Sequence, residues 1–146
     1  MPEQNFDSLK LENQVCFPLY ACARETIKLY KPFLDELNLT YTQYITMLVL
    51  WEHQAMTVKE LGRRLYLDSG TLTPLLKKLE EKGLVSRKRS TADERNLIVS
   101  ITDQGKAMKE KARDIPAKMS KCLLLEPEET KALYRMLYKM LEYVSK

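Results

Sequence analysis

The stretch LENQVCFPLYACARE, residues 11–25, sets Cys16 among apolar neighbours, with Tyr20 four positions on and a second cysteine at Cys22. Such a cysteine has two readings. Free cysteines are among the most buried residue types and usually only pack. A thiol held as an anion is instead a nucleophile, fit for chemistry. Two local features bear on the choice. On a helix, Tyr20 lies over the same face as Cys16, with its hydroxyl in reach of the sulfur. A helix beginning close to Cys16 would also aim orphan amides and the positive end of its dipole at the thiol, which favours the thiolate. Cys22 cannot bridge to Cys16 on one helix, because six residues mean about 9 Å of rise and roughly 240° of rotation; it reads as packing. With three cysteines, no CxxC pair and the single histidine His53, soft ligands are too few for a structural zinc site, and no cofactor is implied. An odd cysteine count leaves at least one thiol free or paired between chains.

A second group of residues has the types that meet nucleic acid. In SGTLTPLLKKLEE, residues 69–81, Leu72, Leu75, Leu76 and Leu79 share one helical face. The opposite side carries Ser69, Thr71, Thr73, Pro74, Lys77 and Lys78, small hydroxyls and lysines able to approach base edges and phosphates. From there to residue 95 the bases Lys77, Lys78, Lys82, Arg87, Lys88, Arg89 and Arg95 outnumber the acids Glu80, Glu81, Asp93 and Glu94. Asp93 and Arg95 sit two apart, so an extended strand puts them on one side, where the carboxylate can hold the guanidinium outward. An arginine fixed that way suits a narrow, electronegative minor groove. The bland alternatives are lysines that only solubilise a helix and a surface ion pair worth almost nothing.

The elements that must position these groups are mostly helical, since only four glycines and six prolines punctuate the chain. A first helix is expected over 11–37, with Leu11, Val15, Leu19, Ile27, Tyr30 and Leu34 at helical spacing. Pro18 either kinks it near Cys16 or marks its true start, and Pro32 predicts a bend. Thr40 to Gln43 has the spacing of a capping box, opening a helix over 41–54. A short helix over 59–66, a tight turn and a helix over 70–82 follow, with Pro74 near the first turn and Gly83 as the stop. LVSRKRS and NLIVSIT then change to a β pattern around the polar TADER, which predicts a hairpin with an exposed tip. Helices over 103–119 and 127–144 complete the chain, leaving Cys122 in the loop between them. Helix, turn, helix, hairpin is the order of a winged helix-turn-helix, whose second helix enters the major groove.

At 146 residues, 45% hydrophobic and 30% charged, the composition is that of one globular domain, mainly α with a small β-hairpin wing. No apolar run reaches the length of a membrane span, and the opening MPEQNFDSLK lacks the pattern of a signal peptide, so a cytoplasmic protein with no membrane partner is expected. A net charge of +4 and a pI near 8.9 permit a nucleic-acid partner without demanding one. The first helix and the stripe Leu133, Met136, Leu137, Met140, Leu141 and Val144 carry more apolar surface than one small lobe can cover, which points to an obligate dimer.

LYLDSGTLTPLLKKLEEKGLVSRKRSTADERNLIVSITDQGK resembles the DNA-binding lobe of the multiple antibiotic resistance regulator (MarR) family, whose hallmark is a wing pattern D-x-R followed by a strand and LT-x-x-G. This chain has Asp93-Glu94-Arg95 and Ile101-Thr102-Asp103-Gln104-Gly105. With NQVCF and LTYTQY it is similar to the organic hydroperoxide regulator (OhrR) branch over nearly its whole length. The resemblance implies an intertwined homodimer: residues 1–40 as an N-terminal dimerisation helix, 41–105 as the winged lobe, and 106–146 as C-terminal dimerisation helices. It implies double-stranded, pseudo-palindromic operator DNA as partner, an organic hydroperoxide as effector, and Cys16 as the peroxide-reactive residue. In that branch tyrosine hydroxyls hold the thiolate, two of them from the other subunit; Tyr30 and Tyr41 occupy the matching positions, beside Tyr20. Cys122 lies close to where two-cysteine members keep their resolving cysteine. Pro18 departs from the plain helix former expected there.

The favoured expectation is thus a repressor, not an enzyme, that leaves its operator when Cys16 is oxidised. The runner-up has the same fold and is released by a non-covalent phenolic ligand in the dimer crevice, without need of Cys16. A thiol peroxidase is a third reading, disfavoured by a basic helix-turn-helix that such an enzyme would not require. Metal sensing is weakest.

Overall fold

The computed structural model describes residues 5–93 and 95–145; Glu94 of the wing motif lies outside them. Two short 3-10 turns, Asp7–Leu9 and Leu11–Asn13, precede α1 (Cys16–Asp35). The helix begins at Cys16, not at residue 11. Pro18 is its third residue, where a missing amide removes no intrahelical bond, so it marks the start and not a kink. The helix runs on through Pro32 to Asp35.

α2 (Tyr41–His53) opens on the expected box: the Gln43 amide donates to Thr40 Oγ1 at 3.3 Å and the Thr40 amide donates back to Gln43 Oε1 at 3.0 Å. A three-residue strand that the pattern did not reveal, β1 (Ala55–Thr57), follows. Thr57 then caps α3 (Val58–Leu65), accepting from the Glu60 amide. Asp68 caps α4 (Ser69–Glu81) in the same way through the Thr71 amide at 2.8 Å. Between the two, Gly62 is needed for a close approach: a Cβ there would stand 2.8 Å from the Leu67 carbonyl oxygen, across the α3–α4 turn. Pro74 falls on the sixth residue of α4, past the first turn, where it removes the bond to the Gly70 carbonyl. Gly83 ends the helix at φ +79°.

The wing is β2 (Val85–Arg89) and β3 (Leu97–Ile101), paired antiparallel from Val85 with Ile101 to Arg89 with Leu97. β1 lies on the other side of β3, so the sheet order is β1-β3-β2. The single helix expected over 103–119 is two, α5 (Asp103–Ala112) and α6 (Ile115–Leu123), because Pro116 has no amide to offer the Ala112 carbonyl. Cys122 therefore sits in the last turn of α6 and not in a loop. α7 (Pro127–Val144) closes the chain with its own box between Glu126 and Glu129.

The core lies under the lobe. Met47, Leu50, Leu61, Leu79 and Val99 are fully buried, with Leu72, Leu76, Leu84 and Val85 nearly so, and the Trp51 indole donates to the Gly105 carbonyl at 2.8 Å. In α1 only Leu34 is buried, and in α7 no residue is; Val15, Ile27, Leu133, Met136 and Met140 stand open on the single chain.

Candidate functional site

α4 presents the face that its periodicity predicts. Leu72, Leu75, Leu76 and Leu79 are buried, whereas Ser69, Thr71, Thr73, Pro74, Lys77 and Lys78 are all exposed. At the tip of the wing Asp93 and Arg95 do meet, though by a turn instead of an extended strand. Asp93 Oδ1 accepts from the Arg95 amide at 3.0 Å and from its Nε at 3.3 Å, and the Asn96 amide donates to the Asp93 carbonyl. The Arg95 side chain is 92% exposed, so its guanidinium is tethered at the root and free at the end.

Arg87 faces elsewhere than charge counting suggested. Its side chain is only 20% exposed, its Nη2 lies 3.3 Å from Glu80 Oε1, and its amide donates to Glu80 Oε2 at 2.8 Å. Those bonds, the amide's foremost, hold the Glu80 carboxyl below the usual carboxylate range. Arg87 thus fastens the wing to α4. The pair escaped the sequence because seven residues separate its members across a helix end and a turn.

The thiols are spread along the scaffold helices. Cys16 is the first residue of α1, whose N-terminus has no side-chain cap, so the amides of Cys16 and Phe17 are orphans beside the sulfur. On the single chain Cys16, Cys22 and Cys122 are all exposed. Tyr20 does not hold the sulfur: its hydroxyl accepts from Arg24 Nη1 at 3.2 Å, and the guanidinium carbon lies 5.5 Å over its ring.

Tyr30 and Tyr41 are brought together, with ring centroids 4.9 Å apart, and Tyr44 joins them at 5.7 and 6.4 Å. The place of Tyr44 three residues after Tyr41 on α2 is the signal in the sequence that could have found it. Burial raises the pKa of all three, and that of Tyr44, with Tyr30 and Tyr41 beside it, is pushed up to about 12. Their hydroxyls remain protonated donors at any pH where a thiol ionises.

Within one chain these groups cannot converge on Cys16. Tyr30 lies fourteen residues further along α1, about 21 Å of helix rise. The same holds for Cys122. α1 packs on α6 at the far end of α1, where Lys118 lies over the Phe33 ring at 5.6 Å, and Phe33 is about 25 Å along the helix from Cys16. Any meeting of Cys16 with Tyr30, Tyr41 or Cys122 must be made between two chains. Among the described residues no group of three metal-ligating side chains gathers, and no helix is long and apolar enough to cross a membrane.

Residues 28–112 match the family model for the transcriptional regulators SarA/Rot. The organic hydroperoxide resistance transcriptional regulator of Bacillus subtilis strain 168 is 54% identical over 140 residues, 96% of this chain and 95% of that protein. Among solved structures, reduced AbfR of Staphylococcus epidermidis bound to DNA is 36% identical, covers 96% of this chain and 98% of its own, and superposes with a TM-score of 0.79. The disulfide form of AbfR, 37% identical over 94% of each chain, superposes with only 0.63, so at nearly the same identity the two forms match the shape of this fold to different degrees. A winged lobe, scaffold helices with their apolar faces uncovered and this degree of identity over nearly the whole length have one meaning: the chain belongs to the MarR family of winged-helix transcriptional regulators, in its organic hydroperoxide regulator (OhrR) branch.

Proposed function

We propose that this chain is a homodimeric, operator-binding repressor that senses organic hydroperoxides through Cys16 and releases DNA when that thiol is oxidised. The observation that carries the reading is the separation along α1. The exposed thiol sits at an uncapped helix start, while a cluster of buried and half-buried hydroxyl donors, those of Tyr30, Tyr41 and Tyr44, lies at the other end. Two copies crossing end over end satisfy both, each donating its tyrosines to the other's sulfur. Residues 1–40 and 106–146 form the dimer scaffold, whose open apolar faces the partner covers, and residues 41–105 form the reader.

The chemistry needs no cofactor. The Cys16 thiolate attacks the distal oxygen of the hydroperoxide, the O–O bond breaks, and the alkoxide leaves as the alcohol after taking a proton. Cys16 becomes a sulfenic acid, oxidised by two electrons. A second thiol then attacks that sulfur, forms a disulfide and releases water. The second thiol is Cys122 of the other subunit or a small free thiol. Tyr20, whose hydroxyl is engaged by Arg24, lies close enough in sequence to join the pocket once the partner is docked.

On DNA, α4 enters the major groove with Ser69, Thr71, Thr73, Pro74, Lys77 and Lys78 facing bases and phosphates, and Arg95 reaches the adjacent minor groove. Arg87 supports this from behind by fixing the wing. The half-sites of the pseudo-palindrome are about one helical turn apart. The fold's nearer likeness to the reduced, DNA-bound AbfR and to its overoxidised, DNA-bound form than to its disulfide form supports a change of shape on disulfide formation. The relatives are transcriptional regulators, and a regulator of this kind works in the cytoplasm on chromosomal DNA.

The test is Cys16→Ser beside the parent and Cys122→Ser, each titrated with operator duplex before and after stoichiometric cumene hydroperoxide, with every cysteine mapped by mass spectrometry and covalent dimers read on non-reducing gels. The reading requires Cys16→Ser to bind DNA and ignore the peroxide. Release of DNA by Cys16→Ser would place the sensor elsewhere. A covalent dimer that needs Cys122 assigns the two-cysteine route; release without one, in parent and Cys122→Ser alike, assigns capping by a small thiol.

A further inference from the structure

Charge counting put Lys82 with the bases that face DNA, at the end of the recognition helix. The structure turns it the other way. Lys82 is the residue that follows α4, half-buried, and its ammonium donates to the Asn38 carbonyl and, at 3.0 Å, to Gln43 Oε1. Those acceptors belong to the corner between α1 and α2. Asn38 holds that corner in a left-handed conformation at φ 54°. Gln43 is 4% exposed and uses the same Oε1 to accept from the Thr40 amide. Tyr41 and Tyr44, one residue to either side of the pair Thr42–Gln43, carry the tyrosine cluster.

The backbone at Lys82 is pinned as well. Its amide donates to the Lys78 carbonyl, its carbonyl accepts from Gln104 Nε2 at 3.3 Å, and the next carbonyl, of Gly83, accepts from Thr102 Oγ1 at 2.6 Å. The end of the DNA-reading helix is thus fixed on one side to the start of α5 and on the other, through one side chain, to the corner of the dimer scaffold.

We infer that Lys82 is a positioning residue: a strut that sets the pose of α4 on the α1–α2 corner and couples the tyrosine cluster to the recognition helix, not a phosphate contact. This rests on the operator-binding reading given above. Three points favour it. Both acceptors are uncharged and belong to the protein, so the ammonium is already satisfied by a built site. Burial, with the charge of Lys78 nearby, pushes its pKa below the ordinary lysine value, a desolvation that a lysine waiting in open solvent for a phosphate does not experience. Lys77 and Lys78, one turn earlier, are exposed and supply the positive charge that α4 needs.

The two roles separate by salt dependence. A lysine that neutralises a phosphate contributes about one unit per subunit, about two for the dimer, to the log–log slope of affinity against salt, and a strut contributes none. The experiment uses reduced protein and a duplex selected by the parent from a random-sequence pool, titrated at several salt concentrations with the parent, Lys82→Met, Lys82→Arg and Lys77→Ala. Lys82→Met keeps the length of the stem and removes the ammonium; it should lose about tenfold at every salt, the size of one hydrogen bond, with the slope of the parent. Lys82→Arg should recover most of that loss, and Lys77→Ala should lower the slope.

Without DNA, hydrogen exchange in segments 36–44 and 79–86 should quicken together in Lys82→Met and in no other segment. A slope lowered by about two, one phosphate for each subunit of the dimer, with both segments as protected as in the parent, makes Lys82 a phosphate contact and overturns the proposal. Unchanged affinity and unchanged exchange overturn it too. Should the parent itself select no duplex, the operator-binding reading falls, and the paired exchange of the two segments still decides whether the strut exists.

Discussion

The winged lobe and the scaffold helices solve opposite problems with the same kinds of residue. From α2 to β3 the chain closes on itself: Met47, Leu50, Leu61, Leu79 and Val99 are sealed, and α2, α3 and α4 each start on a side-chain cap. α1 has no such cap, α7 buries none of its residues, and they show Leu19, Ile27 and Leu29 on the one and Leu133, Met136 and Met140 on the other to solvent. One region is finished within a single chain and the other only within two. The chemistry proposed above lies in the unfinished region. On that proposal the Cys16 thiol takes its hydroxyl donors from another copy, so it is fully active only in the assembled protein. The reader can then be rigid, because the switch is kept in the part whose geometry two chains share.

That contrast predicts two unlike kinds of damage. Leu76→Ala, at a position 1% exposed, removes packing that one chain makes alone. It should cost about 2–5 kcal/mol of stability in thermal or urea unfolding. Met136→Glu with Met140→Glu touches nothing that is buried in the single chain. It should leave the lobe folded by circular dichroism, convert dimer to monomer by sedimentation, and make the melting temperature of what dimer remains strongly concentration-dependent. If the double variant stayed dimeric, the open face of α7 would have some other purpose.

Effects at the reader come next in size. Arg95→Ala should weaken specific binding by one to two orders of magnitude, roughly the loss of one minor-groove arginine in each subunit. It should leave the fold intact, since the side chain is almost wholly exposed. Arg87→Ala should weaken binding less and should also loosen the wing in hydrogen exchange, because it frees Glu80. Equal affinity for Arg95→Ala and the parent would remove the wing from the docking geometry.

The same contrast explains what could be read without coordinates. The lobe was legible because its signals are local: a capping box at Thr40, four leucines on one face of α4, Gly83 at a positive φ, a β pattern after it. What failed there was short or crossed a turn. β1 has three residues, too few to show alternation, and the bond from Arg87 to Glu80 joins a strand to the helix before it. The scaffold was less legible. Its apolar spacing continues through Leu11, yet the backbone there is a 3-10 turn, and the helix waits for Cys16 because the preceding amides are bonded within the turns. Pro116 divides the segment after the wing, which moves Cys122 onto a helix. The contact of Tyr30 with Tyr41 depends on how α1 folds over α2, which no periodicity encodes.

The smallest effect tests the tyrosines most directly. A hydrogen bond to an anionic acceptor contributes about 1.5–3 kcal/mol, so removing one lowers the fraction of that acceptor in its anionic form roughly ten- to a hundredfold at a pH where it is mostly protonated. The rate of attack on peroxide falls by less, because a thiolate that is less stabilised is also more nucleophilic, by about 0.4–0.5 log units for each unit of basicity. Tyr30→Phe and Tyr41→Phe should therefore each slow the oxidation of Cys16 by roughly three- to tenfold, with Tyr20→Phe close to the parent if Arg24 keeps its hydroxyl. The pH profile sharpens this. Burial raises the pKa of Tyr30 and Tyr41 above their ordinary value near 10, so each hydroxyl stays a donor through that pH and is lost only as pH climbs past the raised value. The oxidation rate, followed by stopped-flow trapping of the sulfenic acid, should rise with pH and hold its plateau to about pH 10. A fall well below that pH would mean that the donors ionise early, against the burial that raises their pKa, and would remove them as holders of the thiolate. Equal rates for the parent, Tyr30→Phe and Tyr41→Phe would leave Cys16 to the uncapped start of α1 alone.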